Sequence, residues 1–576
     1  MILRFRSKQG MFRISVDPSQ DFAVVVEELL GKIGCKDAGE VLLSEQPTSG
    51  GASRTAQSLI GQRVDQLGLK NGDMLFVTVN SSEGSNPATT TTTLNNTSNN
   101  QPIVGGTVSG SISIKGTIPS LNTTTTSRKP VQQLPVDTLL DGKDGRIKRS
   151  RSYMCRHGDK GMCEYCSPLP PWDKGYREEH GFKHKSFHAH VAELNEQKNN
   201  KHNATSYMAP LEEPDYVTTI DPRTGVRTGP TVVTLQQQQF RMVDHVELAD
   251  SQIMNQFIDV WRQTGVQRFG YMYGRYEEYP EVPLGVKAVV EAIYEPPQAG
   301  EVDGLTLLEW TNEKAVDQVA EALGLMRVGI IFTDLTDSGM KNGTVLCKRH
   351  KDTYFLSCLE IMMAGRNQLS HKNATVHSAS GEYSSKFVTC VISGGIHGEI
   401  EPRSYQVSVA GEALVRADII TGTTQPSILH INDSAPGRIV PDVFYSKINE
   451  YGLEVKTNAK PSFPVEFLLV SLSDSFPKEP KPQFNSNFTI ENRDFMGELQ
   501  ELKAAYRFLN SDVVGDGSQL VDFHFLVYLL TKLDILGDSE AQLLLTFARD
   551  RQYEDYLRLV ESPGWMTLVT ILEQST

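Results

Sequence analysis

The sequence CRHGDKGMCEYC, residues 155–166, places three cysteines and one histidine within one short segment. The spacing is C-x-H-x5-C-x2-C, and the four donors are Cys155, His157, Cys163 and Cys166. Three thiolates and one imidazole make the closed tetrahedral shell that zinc prefers, and such a shell leaves no position open for water. The alternative is an incidental cluster of cysteines beside a surface histidine, which this tight spacing disfavours. We therefore predict one structural, non-catalytic zinc site.

The remaining cysteines and histidines do not indicate a second site. Seven cysteines are an odd number for a disulfide framework, and those outside the segment are scattered: Cys35, Cys347, Cys358 and Cys390. This pattern is typical of a reducing compartment. Four histidines follow without a partner cysteine, and we interpret them as helix-start and surface residues: His180, His184, His188 and His190.

Length and charge narrow the class of protein. A chain of 576 residues suggests about three or four domains. A net charge of −14 argues against a general nucleic-acid binder, which needs a basic surface. One local basic run is either solvated linker or a patch for nuclear import or an acidic partner: Arg146, Lys148, Arg149 and Arg151. The N-terminus does not resemble a signal peptide, and no apolar run is long enough to span a membrane.

Residues 1–80 have the pattern of a small mixed domain. Alternating apolar residues at Phe12, Ile14 and Val16 predict the second strand of a hairpin, and apolar positions between Phe22 and Ile33 predict a helix. Asn71-Gly72 then predicts a turn before a closing strand. This order is typical of a ubiquitin-like β-grasp, and the absence of a terminal Gly-Gly favours a docking module over a conjugated tag.

The rest of the chain divides into regions of different amino-acid composition. Residues 81–130 are rich in Thr, Asn, Ser and Gly, and we predict a flexible linker there. Residues 131–240 hold the zinc segment in irregular, polar sequence. From residue 241 the pattern is α+β, with a helix near Ala249 and strands at 287–294, 327–332 and 386–392. The C-terminal part is predicted to be helical at 498–509, 520–533, 539–547 and 565–572.

Several long segments resemble the nuclear protein localization protein four family, and they follow in order along the chain. They are HGDKGMCEYCSPLPPWDK (157–174), TLQQQQFRMVDHVE (234–247), QRFGYMYG (267–274), GVKAVVEAIYEPPQ (285–298), VGIIFTDL (328–335), CKRHKDTYFLS (347–357), SSKFVTCVISG (384–394) and GWMTLV (564–569). The resemblance implies an α+β multidomain fold: a UBX-like β-grasp domain at 1–80, the zinc-binding region at 131–240, a catalytically inactive MPN-like domain at 241–445, and a helical domain at 446–576 that completes a ubiquitin-binding groove.

The resemblance also implies a function. Members of this family form a heterodimer with the ubiquitin-fusion-degradation adaptor and recruit polyubiquitylated substrates to the valosin-containing-type AAA+ ATPase for unfolding. The expected role is ubiquitin-dependent protein catabolism, including endoplasmic-reticulum-associated degradation, and the family name is also linked to nuclear, protein and mRNA transport. The expected location is cytoplasm and nucleus, with peripheral attachment to the endoplasmic reticulum and nuclear envelope through partners.

Two features depart from the family pattern. The family carries a second Cys/His motif before the TLQQQ stretch, but residues 213–233 contain no Cys or His. We therefore expect one zinc site rather than two. The sequence also ends at Thr576 without the C-terminal ubiquitin-binding zinc finger of some members. Ubiquitin binding is then expected to depend on the MPN-like and C-terminal domains.

The protease positions of an MPN domain are degenerate here. An active enzyme needs two histidines and an aspartate on zinc, with a glutamate as general base. At the corresponding positions this chain has Gln267, Phe332, Asp334, Ser357 and Glu360. We predict a non-catalytic adaptor. The alternatives are a metallo-deubiquitinase of the MPN class, which the missing ligands disfavour, and a zinc-dependent nucleic-acid binder, which the acidic charge disfavours.

Overall fold

The computed structural model describes residues 2–7, 10–17, 19–33, 41–44, 54–67, 73–79, 131–158, 161–201, 211–220, 227–435, 438–449, 451–511 and 515–575. The chain divides into two compact units, residues 1–121 and 122–576. The predicted linker at 81–130 and the predicted turn at Asn71-Gly72 lie outside the described residues.

The first unit is one mixed sheet with one long helix. Its elements are β1 (Ile2–Ser7), β2 (Gly10–Ser15), α1 (Phe22–Ile33), β3 (Val41–Ser44), β4 (Arg54–Thr55) and β5 (Met74–Val79). The strand order is β2-β1-β5-β3-β4, with β1 parallel to β5 and the other pairs antiparallel. The predicted hairpin strand and helix are confirmed, since Ile14 and Val16 are buried together with Phe22 and Leu29 of α1.

The second unit alternates helices and strands over most of its length. In chain order its first elements are α2 (Pro135–Asp141), α3 (Lys174–Glu179), β6 (Lys185–Ser186), α4 (Phe187–Lys201), β7 (Thr219–Ile220), β8 (Arg227–Thr228), β9 (Val232–Leu235), β10 (Phe240–Arg241), β11 (His245–Leu248), α5 (Ser251–Thr264), β12 (Phe269–Tyr279), β13 (Gly285–Tyr294), β14 (Gln298–Gly300), β15 (Leu305–Leu307), α6 (Glu313–Ala322) and β16 (Met326–Asp334).

The remaining elements begin with a long helix and end in a helical region. They are α7 (Cys358–Ser370), β17 (Val388–Gly394), β18 (Ile400–Val407), α8 (Val409–Arg416), β19 (Ile420–Gly422), β20 (Ile428–Ile431), β21 (Asp442–Ile448), β22 (Glu454–Asn458), β23 (Ser462–Pro464), β24 (Leu469–Ser471), β25 (Ser473–Ser475), α9 (Leu502–Leu509), α10 (Phe523–Val527), α11 (Asp538–Asp550), α12 (Tyr553–Val560) and α13 (Pro563–Gln574).

An eight-stranded mixed sheet forms the centre of this unit, in the order β24-β18-β17-β16-β12-β13-β11-β25. The two edge strands are consecutive in the chain, so the segment 469–475 pairs with β18 at one end and with β11 at the other. Side chains alternate along a strand. Accordingly, Ile330 and Phe332 of β16 pack towards α7, and Ile331 packs towards α5.

The C-terminal helices pack around a second core beside this sheet. Phe523, Phe525, Leu544 and Trp565 are buried there together with Tyr273 of β12. The four predicted helices are confirmed as elements, but α9 begins at Leu502 rather than near 498, and α10 begins at Phe523 rather than at 520. Within the described residues, no helix combines the length and apolar character needed to cross a lipid bilayer.

Two of the boundaries drawn from the sequence fall inside strands. The boundary between 240 and 241 lies within β10, and the boundary between 445 and 446 lies within β21. Strands β24 and β25, which follow the second boundary, belong to the central sheet. Composition does not reveal this, because the pairing partners of β25 lie more than two hundred residues earlier in the chain.

Candidate metal centre and salt-bridged cleft

The structure brings Cys155, His157, Cys163 and Cys166 together, with their donor atoms all within 4.8 Å of one another. The Sγ atom of Cys163 lies 3.6 Å from that of Cys155 and 3.9 Å from that of Cys166. Nε2 of His157 lies 3.2 Å from Sγ of Cys166. A tetrahedral zinc with Zn–S bonds of about 2.3 Å requires sulfur–sulfur distances of about 3.8 Å. The four donors therefore fit a zinc ion, and the sulfurs are too far apart for disulfides.

The local backbone explains why these donors converge. The N–H groups of Cys166 and Ser167 both donate to the carbonyl of Cys163, at 3.1 and 2.8 Å, and close a tight turn. Gly161 donates to the carbonyl of Gly158 at 3.0 Å. A Cβ at Gly161 would lie only 2.9 Å from Cβ of His157. The glycine is thus required for the loop to pass close to the histidine.

Two arginines of the basic run hold the loop in place. Nε of Arg149 donates to the carbonyl of Ser167 at 2.8 Å, and Nη2 donates to the carbonyl of Glu164. Nη2 of Arg151 donates to the carbonyl of His157. Of the run interpreted as solvated linker or partner patch, only Arg149 is partly buried, whereas Arg146, Lys148 and Arg151 are exposed.

The electrostatics of the loop favour a thiolate at its centre. Desolvation raises the pKa of Cys163, but hydrogen bonds from the N–H of Tyr165 and from neighbouring donor side chains lower it to about 7. Only the thiolate binds a metal. Large apolar side chains surround the cluster and are exposed: Tyr153, Met154, Met162 and Tyr165.

The four histidines after the zinc segment agree only in part with the interpretation as helix-start and surface residues. His180 is exposed, but His184 and His188 are buried. His188 on α4 faces two carboxylates of α2, with Nε2 2.9 Å from Asp137 and Nδ1 3.0 Å from Asp141. His188 lies in the first turn of α4, as the helix-start interpretation predicts, but its surface location is wrong because α2 packs over it. The pair of aspartates one helical turn apart in the sequence is the signal that was missed.

The five residues that the family resemblance compares with protease positions line one cleft of about 370 Å³. They are Gln267, Phe332, Asp334, Ser357 and Glu360. Gln267 precedes β12, Phe332 and Asp334 lie on β16, and Ser357 and Glu360 lie at the start of α7, so these residues converge only in the folded chain.

A residue that sequence reasoning missed occupies the centre of this cleft. Arg349 is only 3 % exposed. Its Nε donates to Asp334 at 2.8 Å, while Nη1 and Nη2 donate to the two oxygens of Glu360 at 2.8 and 2.7 Å. Its guanidinium also stacks over the rings of Phe332 and Tyr354. The carboxylates of Asp334 and Glu360 are thus paired with an internal cation.

The side chains of Gln267 and Ser357 also form hydrogen bonds that hold the local backbone in place. The amide of Gln267 donates to the carbonyls of Val302 and Leu335 and accepts from Thr333 and from the N–H of Leu335. Ser357 caps α7, because its Oγ accepts from the N–H of Glu360 and its N–H donates to the Glu360 carboxylate. Within the described residues, the zinc segment is the single group of three or more His, Cys, Asp and Glu donors that converges.

Fold and site together define a multidomain α/β protein with a Cys₃His metal-binding region. Family models match two adjacent parts of the chain: a zinc-binding region of the NPL4 family at residues 131–265 and the NPL4 family itself at 268–573. The chain is 62 % identical to Nuclear protein localization protein 4 of Debaryomyces hansenii over 98 % of this chain and 100 % of the relative. It is 44 % identical to the protein of that name from Saccharomyces cerevisiae, with both chains covered completely. The chain therefore belongs to the NPL4 family.

Proposed function

We propose that this chain is a non-catalytic adaptor that binds polyubiquitylated proteins and delivers them to an AAA+ unfoldase for extraction and proteasomal degradation. The observation that carries the proposal is the position of Arg349 between Asp334 and Glu360. A guanidinium cannot be replaced by a metal without breaking both ion pairs, and no histidine is among the described residues that line the cleft. This arrangement supports an MPN-like domain without the groups needed to activate water.

The first unit supports a docking role. Its strand order, with one helix after the first hairpin, is that of a ubiquitin-like β-grasp. Such a fold at residues 1–80 fits a UBX-like module that binds the N-terminal domain of the ATPase. The zinc-binding region supplies a second contact with the ring, through the exposed apolar side chains around its cluster. Bound zinc would give this small loop the fixed shape that its few buried apolar residues do not provide.

The C-terminal helices support ubiquitin binding. On α12, Tyr553, Leu557 and Val560 lie at helical spacing and are exposed, and Met566 of α13 is exposed nearby in sequence. Apolar side chains that share one exposed helix face are typical of a protein–protein contact. These helices and the MPN-like domain would together form the ubiquitin-binding groove.

The expected partners are the valosin-containing-type ATPase, the ubiquitin-fusion-degradation adaptor as heterodimer partner, and polyubiquitin. The relatives are named for nuclear protein localization, and this supports a nuclear as well as a cytoplasmic location. Attachment to the endoplasmic reticulum and nuclear envelope would then occur through partners. Nucleic acid is not among the proposed ligands.

The test uses the purified full chain with added zinc and ubiquitin chains, and follows retention and cleavage in the same tube. The adaptor proposal expects retention without cleavage. Removal of residues 1–80 should abolish ATPase binding and leave ubiquitin retention unchanged. Zinc-dependent cleavage would instead establish a metallo-deubiquitinase, and salt-sensitive retention on RNA or DNA would favour a nucleic-acid binder.

A further inference from the structure

A short stretch of strand lacks a partner in the small sheet formed by β22, β21 and β9. On one side, β21 pairs with β22 from Phe444 to Ile448. On the other side, it pairs with β9 only from Asp442 to Tyr445. Within the described residues, no strand pairs with Ser446–Ile448 on this side. About 10 Å of strand edge is thus left open, at about 3.3 Å per residue.

The path of the backbone explains why β9 ends at Leu235. After Leu235 the backbone turns away, and Phe240–Arg241 forms β10, which pairs with β6 instead. The turn contains the glutamine run, and its side chains line a cleft of about 570 Å³ together with Ser446, Lys447 and Ile448. The cleft therefore lies where β9 would continue if it followed β21 to its end.

Three side chains in the cleft lack partners within the part of the chain that the structure describes. Ser446 is only 9 % exposed, and its Oγ forms no hydrogen bond. Lys447 is exposed and is absent from the ion pairs of the described residues. Ile448 is 76 % exposed.

We propose that this cleft binds an extended segment of a partner protein, which adds to the open edge of β21 in place of the missing continuation of β9. The main chain of the segment pairs with Ser446–Ile448, as in other cases of strand addition to an exposed edge. One apolar side chain of the segment covers Ile448, and an acidic side chain on the other face of the added strand pairs with Lys447. This inference does not depend on the adaptor role.

The test measures fluorescence anisotropy of the labelled peptide STVTIEVTSG with the full chain. Two further versions carry N-methyl groups on alternate residues, so that each blocks hydrogen bonding along one edge of the peptide. We expect saturable binding, and a loss of about ten-fold in affinity for one N-methylated version and not for the other. Equal binding of all three peptides, or no saturable binding of the first, would overturn the proposal.

Matched variants test whether the peptide binds in this cleft. Ile448→Asp should weaken the peptide by about ten-fold, whereas Ile396→Asp, at a residue that is 77 % exposed in the β17–β18 connection, should not. Lys447→Glu should weaken STVTIEVTSG and strengthen STVTIKVTSG. Equal loss in both isoleucine variants would overturn the proposal. So would self-association that Ile448→Asp abolishes, or peptide binding that rises when residues 81–130 are deleted, because the occupant would then be a second copy or this chain itself.

Discussion

Arg349 and Glu360 form a bidentate ion pair in the cleft between β16 and α7, with Nη1–Oε2 and Nη2–Oε1 distances of 2.8 and 2.7 Å. Burial lowers the pKa of Arg349, but the hydrogen bonds and charges of Glu360 and Asp334 raise it by more, so the guanidinium stays charged. Glu360 also closes the capping box of α7. One arginine thus stabilises both the carboxylates and the start of the helix that carries one of them.

Arg349→Met should destabilise the second unit, because it leaves two partly buried carboxylates without a cation. Removal of one partner of a buried pair costs about 3–5 kcal/mol. The entropy of unfolding grows with chain length, so in a unit that spans residues 122–576 this corresponds to a fall in Tm of about 3–5 °C. Thermal unfolding of the full chain measures the shift.

The matched control for this variant is Arg262→Met. Arg262 pairs with Asp259 on α5, and both side chains are more than 40 % exposed. Exposed pairs contribute about 0–1 kcal/mol, so Tm should fall by no more than about 1 °C. Equal shifts for the two variants would contradict the structural role of Arg349.

The zinc segment and the cleft around Arg349 differ in how well the sequence alone predicts them. The four zinc donors lie within one segment, so their spacing predicts their convergence. The apolar runs at β13, β16 and β17 predict buried strands, because exposed loops rarely contain so many consecutive apolar residues. The sequence does not predict the partners of Arg349. Asp334 lies on a strand and Glu360 on a helix, and their approach depends on the whole sheet. The burial of His188 was missed for the same reason, since α2 reaches it from fifty residues away.

Cys163→Ser should remove bound zinc and weaken ATPase binding, while ubiquitin binding by residues 241–576 stays largely intact. The mechanism is local, because the serine hydroxyl is a poor substitute for the thiolate and the loop has few other constraints. Metal analysis of the purified protein should fall from about one zinc per chain to nearly none. Pull-downs with the ATPase and with ubiquitin chains measure the two activities separately.

The control for this variant is Cys347→Ser, because Cys347 is a partly exposed free cysteine outside the cluster. Its zinc content and both binding activities should match the parent protein. Parallel loss of ATPase and ubiquitin binding in Cys163→Ser would contradict the separation of the two functions.

Gly161→Ala should weaken zinc binding, whereas Gly158→Ala in the same loop should not. The added Cβ at 161 would meet Cβ of His157 at 2.9 Å, and the added Cβ at 158 has no atom within 4 Å. The loop must shift to relieve the first contact, which displaces the histidine ligand. Competition with a chromophoric chelator should show a loss of about ten-fold or more for Gly161→Ala. Similar affinities for both variants would show that the histidine is free to move.

The contribution of His188 to stability should depend on pH. Both ring nitrogens face carboxylates, at 2.9 Å from Asp137 and 3.0 Å from Asp141, and only the protonated ring can donate to both. Burial lowers the pKa of His188, as does Lys386, which binds Asp137 at 2.7 Å, but the two aspartates raise it above its usual 6.5. The pKa of Asp137 is lowered, so this carboxylate stays ionised at neutral pH.

A group whose pKa is raised on folding stabilises the fold fully below its unfolded pKa and loses that contribution as pH rises through the folded pKa. His188→Gln should therefore lower Tm markedly at pH 6 and progressively less towards pH 9. His180→Gln, at an exposed position, gives the baseline. Thermal unfolding of the parent and both variants across this range measures the difference. If the gap between parent and His188→Gln stays constant or widens with pH, His188 is neutral in the folded protein and its charge does not stabilise the contact with α2.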